Sequence, residues 1–180
     1  MLKSTANALQ DLETSVERYL IELENFDMEQ LLIKTNEEEW SIGQMYIHLI
    51  QTAQFMHLQH VDSCLAGNGP ALSTAEDKTE IGRKVYELGS FPPVRVRVPA
   101  SPQYTPQQPE SKEQIIEGLR SVVERMKRTE PALSQEPEQY KIPHPRFGPL
   151  SAKEWFLLVE MHYRHHFLQL DRLKSELSLV

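Results

Sequence analysis

Cysteine is all but missing from this sequence. The 180 residues hold one, Cys64, which excludes an intrachain disulfide and any multi-cysteine zinc site. A basic excess is missing as well: 19 Lys and Arg stand against 26 Asp and Glu, a formal charge of −7. Such a chain has no general attraction for phosphate backbones or anionic bilayers, so neither nucleic acid nor a membrane is an expected partner. No hydrophobic run approaches membrane-spanning length, and the N-terminal MLKSTANALQDLE has no apolar signal core. These absences predict a soluble, cytoplasmic protein. Apolar residues make up 39% of the chain, enough for one core, and a single domain over residues 1–180 is expected.

Proline is absent from four long stretches, although the chain has 12, six of them between Pro92 and Pro109. Helix interiors exclude proline because it removes a donor and clashes with the preceding turn, so the four stretches read as helices. The first spans about Ser4 to Asn25, with Leu9, Leu12, Val16, Leu20 and Leu23 on one face. Asp27 and Gln30 then resemble a capping box opening a short helix. The second opens at the Ser41–Gln44 box and continues to about Ala66, stopped by Gly67-Asn68-Gly69-Pro70. It is apolar around most of its circumference, from Ile42 and Met45 to Phe55, Met56 and Val61, which predicts burial on more than one side, within the chain or against a second copy. That pattern motivates a homodimer.

The third helix opens at the Ser111–Gln114 box and ends near Thr129, before Pro131. The fourth opens at Ser151–Glu154 and runs nearly to the C-terminus, with Trp155, Leu158, His162, His166, Gln169, Leu173 and Leu177 as its stripe. The long connection between helices two and three carries a short helix, about Ala75 to Leu88, and the alternating Val94–Val98, which its flanking prolines confine to an edge or an extended crossing. The resulting expectation is an all-α fold, a four-helix bundle with a long crossover between helices two and three.

Chemistry enters with the histidines, of which there are seven. His162 and His166 are four apart, so their rings leave one helix face about a turn apart. They replace apolar residues in an inward stripe, where polar rings cost free energy unless their nitrogens find partners; a divalent metal satisfies two at once. His48, flanked by Met45 and Leu49 on the line His48, Thr52, Phe55, faces inward from the second helix and is the candidate third ligand. Three neutral histidines would leave open coordination positions, the mark of a catalytic site. The same spacing also suits an ordinary pair of helix histidines. His57 and His60 are rotated away from His48, towards a surface or a subunit contact, and His165 points elsewhere. His144 reads as a loop residue able to reach the mouth of the site, and Cys64 as a small buried hydrophobe. Arg95, Arg97 and Arg146 are either grips for an anionic substrate or solvated surface charge.

Three pieces in this order resemble the DinB/YfiT superfamily: Trp40-Ser41-x-x-Gln44-x-x-x-His48-Leu49, His144-Pro145-x-x-Gly148-x-Leu150-x-x-x-Glu154-Trp155, and His162-x-x-x-His166 with Gln169 three residues on. The resemblance implies an up-down-down-up bundle, often dimeric, with one metal on three histidines: His48, His162 and His166. It also implies a choice among thiol S-transferases that use a low-molecular-weight thiol, metal-dependent hydrolases, and members without known activity. Zinc and nickel both suit imidazole ligands. For this chain the expectation is a metal-dependent thiol transferase. The alternatives are a hydrolase using metal-activated water, or a non-enzymatic, stress-associated metal-binding protein whose site is closed by a fourth ligand such as His144. Tyr163, Arg164 and His165 lie between the paired histidines, with no glutamate at a metalloprotease-like spacing, which tips the balance towards thiol transfer.

Overall fold

Side-chain caps decide where the helices begin. In the computed structural model, which describes residues 3–68, 77–95, 105–133 and 140–178, Ser4 accepts from the Asn7 amide and opens α1 (Thr5–Glu24). Full capping boxes at Asp27, Ser41 and Ser151 open α2 (Met28–Leu32), α3 (Ile42–Thr52) and the last helix. Each box satisfies amides that the first helical turn leaves without an intrahelical partner. Thr79 caps α5 (Glu80–Leu88). That helix therefore starts later than Ala75, the expected start, which lies outside the described residues, as do Arg97 and residues 96–98 of the expected strand-like segment.

The second helix is continuous, but not α-helical throughout. Between α3 and α4 (Leu58–Ala66) the backbone makes a π-helical turn, Ala53–His57, and Gly67 ends α4 in the left-handed conformation. A π turn takes in one extra residue, so side chains beyond it point elsewhere than a 3.6-residue period predicts. Phe55, expected inward, is 73% exposed, and His57, expected outward, is 3% exposed. The burial foreseen for this helix is met within the chain itself for Ile42, Met45, Ile47, Leu49 and Val61.

Helix α6 (Lys112–Leu133) runs past its expected end and contains Pro131. So near the C-terminus the proline forfeits one helical hydrogen bond, while Leu133 gains burial at 1% exposure. The last long element is α7 (Ala152–Glu176), in which every residue from Glu154 to Met161 is buried. It packs against α1, α3, α4 and α6, and α1 and α3 also pack on α6. The structure is thus mostly helical, as expected. A hairpin after α6 was not foreseen: β1 (Lys141–His144) and β2 (Gly148–Ser151) pair antiparallel, with Lys141 opposite Ser151. His144 therefore belongs to a strand end and not to a loop.

Buried hydroxyls knit the core together. Tyr46 donates to the Tyr19 carbonyl at 2.8 Å, Tyr19 to that of Tyr163 at 2.7 Å, and Tyr86 to that of Glu154 at 2.8 Å. The crossover is tied down at both described ends. Gln44 donates to Pro106 O at 2.7 Å and Ser41 to Gln108 Oε1 at 2.6 Å, which lays residues 106–109 across the start of α3. At the other end Thr79 docks α5 on the hairpin, its amide donating to Phe147 O at 3.0 Å and its hydroxyl to Arg146 O at 2.7 Å.

Gly82 makes that docking possible, since a Cβ there would collide with the Phe147 carbonyl. Gly82→Ala is expected to lower stability by roughly 1–3 kcal/mol through overpacking. Urea denaturation would check this, and an unchanged midpoint would refute it.

Candidate metal centre

Two helices bring three imidazoles to one point. His48 comes from α3; His162 and His166, one turn apart, come from α7. His162 Nε2 is 3.1 Å from His48 Nε2 and 3.0 Å from His166 Nε2. Among the described residues this is the one group of three or more His, Cys, Asp and Glu able to hold a metal ion, with ligand atoms all within 4.8 Å of one another. Tetrahedral zinc with Zn–N bonds of about 2.05 Å places its nitrogens about 3.3 Å apart, so the cluster needs little adjustment to accept an ion.

The outer nitrogens explain why the rings face this way. Gln169 Oε1 lies 2.7 Å from His166 Nδ1 and can only accept, so His166 carries its proton there and leaves Nε2 bare. Thr52 Oγ1 lies 3.3 Å from His48 Nδ1. Such outer partners fix tautomer and orientation at metal sites. With Nε2 of His48 and His162 also free of protons, the three nitrogens would repel one another unless a cation lay between them, so the donor set fits a divalent ion. Both partners were within reach of the sequence, at i+4 from His48 and i+3 from His166, but their roles were not assigned. His162 Nδ1 is buried with no partner among the described residues.

The remaining candidates are dispersed. His144 Nδ1 accepts from the amides of Arg146 and Phe147 at 3.1 and 3.3 Å, and its ring stacks on Phe147. It does not join the converging group. His60 packs against Trp155 with ring centroids 4.4 Å apart. His57 lies 5.3 Å from His162, ring to ring. The expected surface or subunit-contact position of His57 is therefore corrected, with the π turn as the cause, whereas His60 is half-buried. His165 faces Phe91 and does not join the converging group. Arg95 pairs with Glu39, which also takes Arg172 Nη2 at 3.2 Å, and Arg146 is exposed. Trp40 lies against His48 with ring centroids 4.8 Å apart. A separate groove of about 530 Å³ runs between α1, α5 and α7, on the side of α7 carrying Glu160 and Arg164. Its charges answer each other, Arg164 Nε donating to Glu160 Oε1 at 2.8 Å.

Burial keeps the imidazoles neutral. It lowers His48 to about 3, with His166 adding to the effect, and His57 to about 3, with His144 contributing. His166 falls to about 4, against an opposing push from Gln169, and His162 falls well below its usual range. His144 is lowered to about 4, by burial first and then by Arg146. Neutral rings offer lone pairs to a metal.

These shifts set the acid response of the metal-free protein. The unfolded chain takes up protons as pH falls through about 6.5 while the folded chain resists until about 3–4. Stability is therefore full above the unfolded value and drains away as pH falls. Each such ring contributes up to about 1.4 kcal/mol per pH unit. Between pH 6.5 and 5, above the carboxylate range, urea midpoints should fall steeply; a flat profile would contradict the burial of neutral histidines.

Comparison with known proteins agrees with the site. No curated protein matches this chain, and no helix among the described residues is long and apolar enough to cross a membrane. The sequence model described as the DinB superfamily matches residues 11–170, a span containing all three converging histidines, α2 to α6 whole, and most of α1 and α7. On this coverage the chain belongs to the DinB superfamily.

Proposed function

We propose that His48, His162 and His166 bind one divalent ion, zinc or nickel, and that the protein uses it to transfer a low-molecular-weight thiol to an electrophile. The observation carrying this reading is the convergence of three Nε2 atoms, on rings of which two have an amide or a hydroxyl at Nδ1. Among the described residues, the titratable groups that shift the three rings are other histidines. A hydrolytic route wants a carboxylate base beside the ion, so this environment favours thiol transfer. In the proposed reading residues 1–180 form one cytoplasmic domain, with the long helices as an up-down-down-up bundle.

A bound ion would supply a positive charge and an open coordination position, at which a thiol loses its proton near neutral pH. The chain's own residues do the rest. His48, His162 and His166 hold the position, Gln169 and Thr52 keep two of those rings aligned, and Trp40 shields the His48 side. Phe91, with its ring 6.5 Å from that of His162, supplies an apolar wall on the crossover side. In the reaction the sulfur bonds to the electrophilic carbon as the bond to the leaving group breaks, and the thiol proton leaves with that group. His144, engaged by two backbone amides, is not placed to close the sphere, which favours an enzyme over a purely metal-holding protein.

Metal analysis after equilibration with zinc or nickel should give one ion per chain, and His162→Ala should lose at least about 100-fold in affinity. Unaltered stoichiometry in that variant would sink the metal assignment. The metal-loaded protein should consume a small thiol with a generic electrophile, and His48→Ala or chelation should abolish turnover. Hydrolysis of an ester panel without thiol consumption would replace transfer with hydrolysis. A homodimer belongs to the same proposal, with the exposed Phe55 at its contact; a monomer mass by light scattering at micromolar concentration would remove it.

A further inference from the structure

His162 is the middle ligand of the three, within 3.1 Å of one neighbour and 3.0 Å of the other. It is also the one whose outer nitrogen is unexplained. His48 has Thr52 and His166 has Gln169, whereas His162 Nδ1 is buried without a partner among the described residues. A ring that coordinates through Nε2 carries its proton on Nδ1, and a buried N–H left unpaired is destabilising.

The neighbouring ring has the matching defect. His57 is 3% exposed, its Nδ1 is likewise buried and unpartnered, and it meets His162 edge to face at 81° with centroids 5.3 Å apart. Its inward aim is not an accident of amphipathicity. It ends the π turn Ala53–His57, and a strict α-helical count from His48 would have turned it nearly to the opposite face. Holding a polar ring in the core at a local departure from the α-helix calls for a polar partner. Two orphaned nitrogens on adjacent rings, not directly bonded, are the setting in which one buried water makes two hydrogen bonds at once.

We propose that His57 is the positioning residue for His162, its Nδ1 accepting through one ordered water from His162 Nδ1–H and so holding His162 Nε2 towards the ion. The role of His57 rests on the metal reading above and extends it from three ligands to the scaffold behind the central one. His57 then does for His162 what Thr52 and Gln169 do for the other two, and the π turn exists to deliver it.

Zinc affinity of the full-length chain, measured by competition with a chromophoric chelator, tests the role. His57→Phe keeps the ring's bulk and removes the nitrogen; it should weaken zinc binding by about 10–100-fold. An asparagine amide reaches the place of Nδ1, whereas a glutamine amide reaches that of Nε2. His57→Asn should therefore recover affinity to within a few-fold of the parent, and His57→Gln should not. His60→Phe, which removes another histidine on the same helix, should leave binding unchanged. In the zinc-loaded parent, nitrogen-detected NMR should show His162 protonated on Nδ1 with slow solvent exchange, and His57→Phe should speed that exchange. Parental affinity in a folded His57→Phe would overturn the proposal. Should that variant not fold, equal affinities for His57→Asn and His57→Gln would overturn it instead. Parental affinity in the His57 variants with zinc uptake intact in the parent leaves the three-ligand reading standing, whereas no uptake by the parent overturns both.

Discussion

Helix α7 is buried on every side from Glu154 to Met161, and most of the architecture follows from having to surround it. A helix enclosed over two turns leaves no face for solvent, so its polar groups must be answered by protein. Ser151 and Glu154 close its first turn, Tyr86 takes up the Glu154 carbonyl, Lys78 meets the Glu154 carboxylate, and Trp155 Nε1 donates to Ile142 O at 3.2 Å. The hairpin and α5 are thus the cover over the start of α7. Because the capping box fixes where the helix begins, it also fixes the azimuth of His162 and His166, about three and four turns further on.

Much of this could be read from the residues. Caps are local chemistry, and Ser4, Asp27, Ser41 and Ser151 each marked a helix start that the structure keeps. The convergence of His48 with His162 and His166 was also legible, since polar rings inside apolar stripes demand a common partner. What failed was whatever departs from one period. The π turn shifts the phase of α4, which put His57 on the wrong side and Phe55 in the core. The hairpin was hidden because Pro143, Pro145 and Pro149 resemble a loop, yet a two-stranded ribbon needs few amides and tolerates prolines at its edges. Pro131 misplaced the end of α6 because its one lost bond is outweighed by the burial of Leu133.

Among the described residues, the buried carboxylates close in sequence to the histidines are answered by cations of their own. Glu39 is held by Arg95 and Arg172, and Glu160 by Arg164 with Lys3 at 3.5 Å. These carboxylates are nearly buried, at 8% and 2% exposure, and each is neutralised where it stands. The cluster consequently feels mainly desolvation and other neutral rings. An acid placed beside it would have favoured protonated imidazoles, in competition with any metal.

Cys64 gives the molecule one more property. Its thiol is buried in α4, in long contact with Leu150 O at 4.0 Å, and burial raises it to about 11. At neutral pH it is almost wholly un-ionised and out of reach, so it is a poor nucleophile. An alkylating reagent that enters the histidine site meets no native thiolate, and sulfur consumed in solution is sulfur that was added. The protein is, in effect, silent towards thiol-reactive dyes, and a cysteine engineered onto its surface would be a single addressable label.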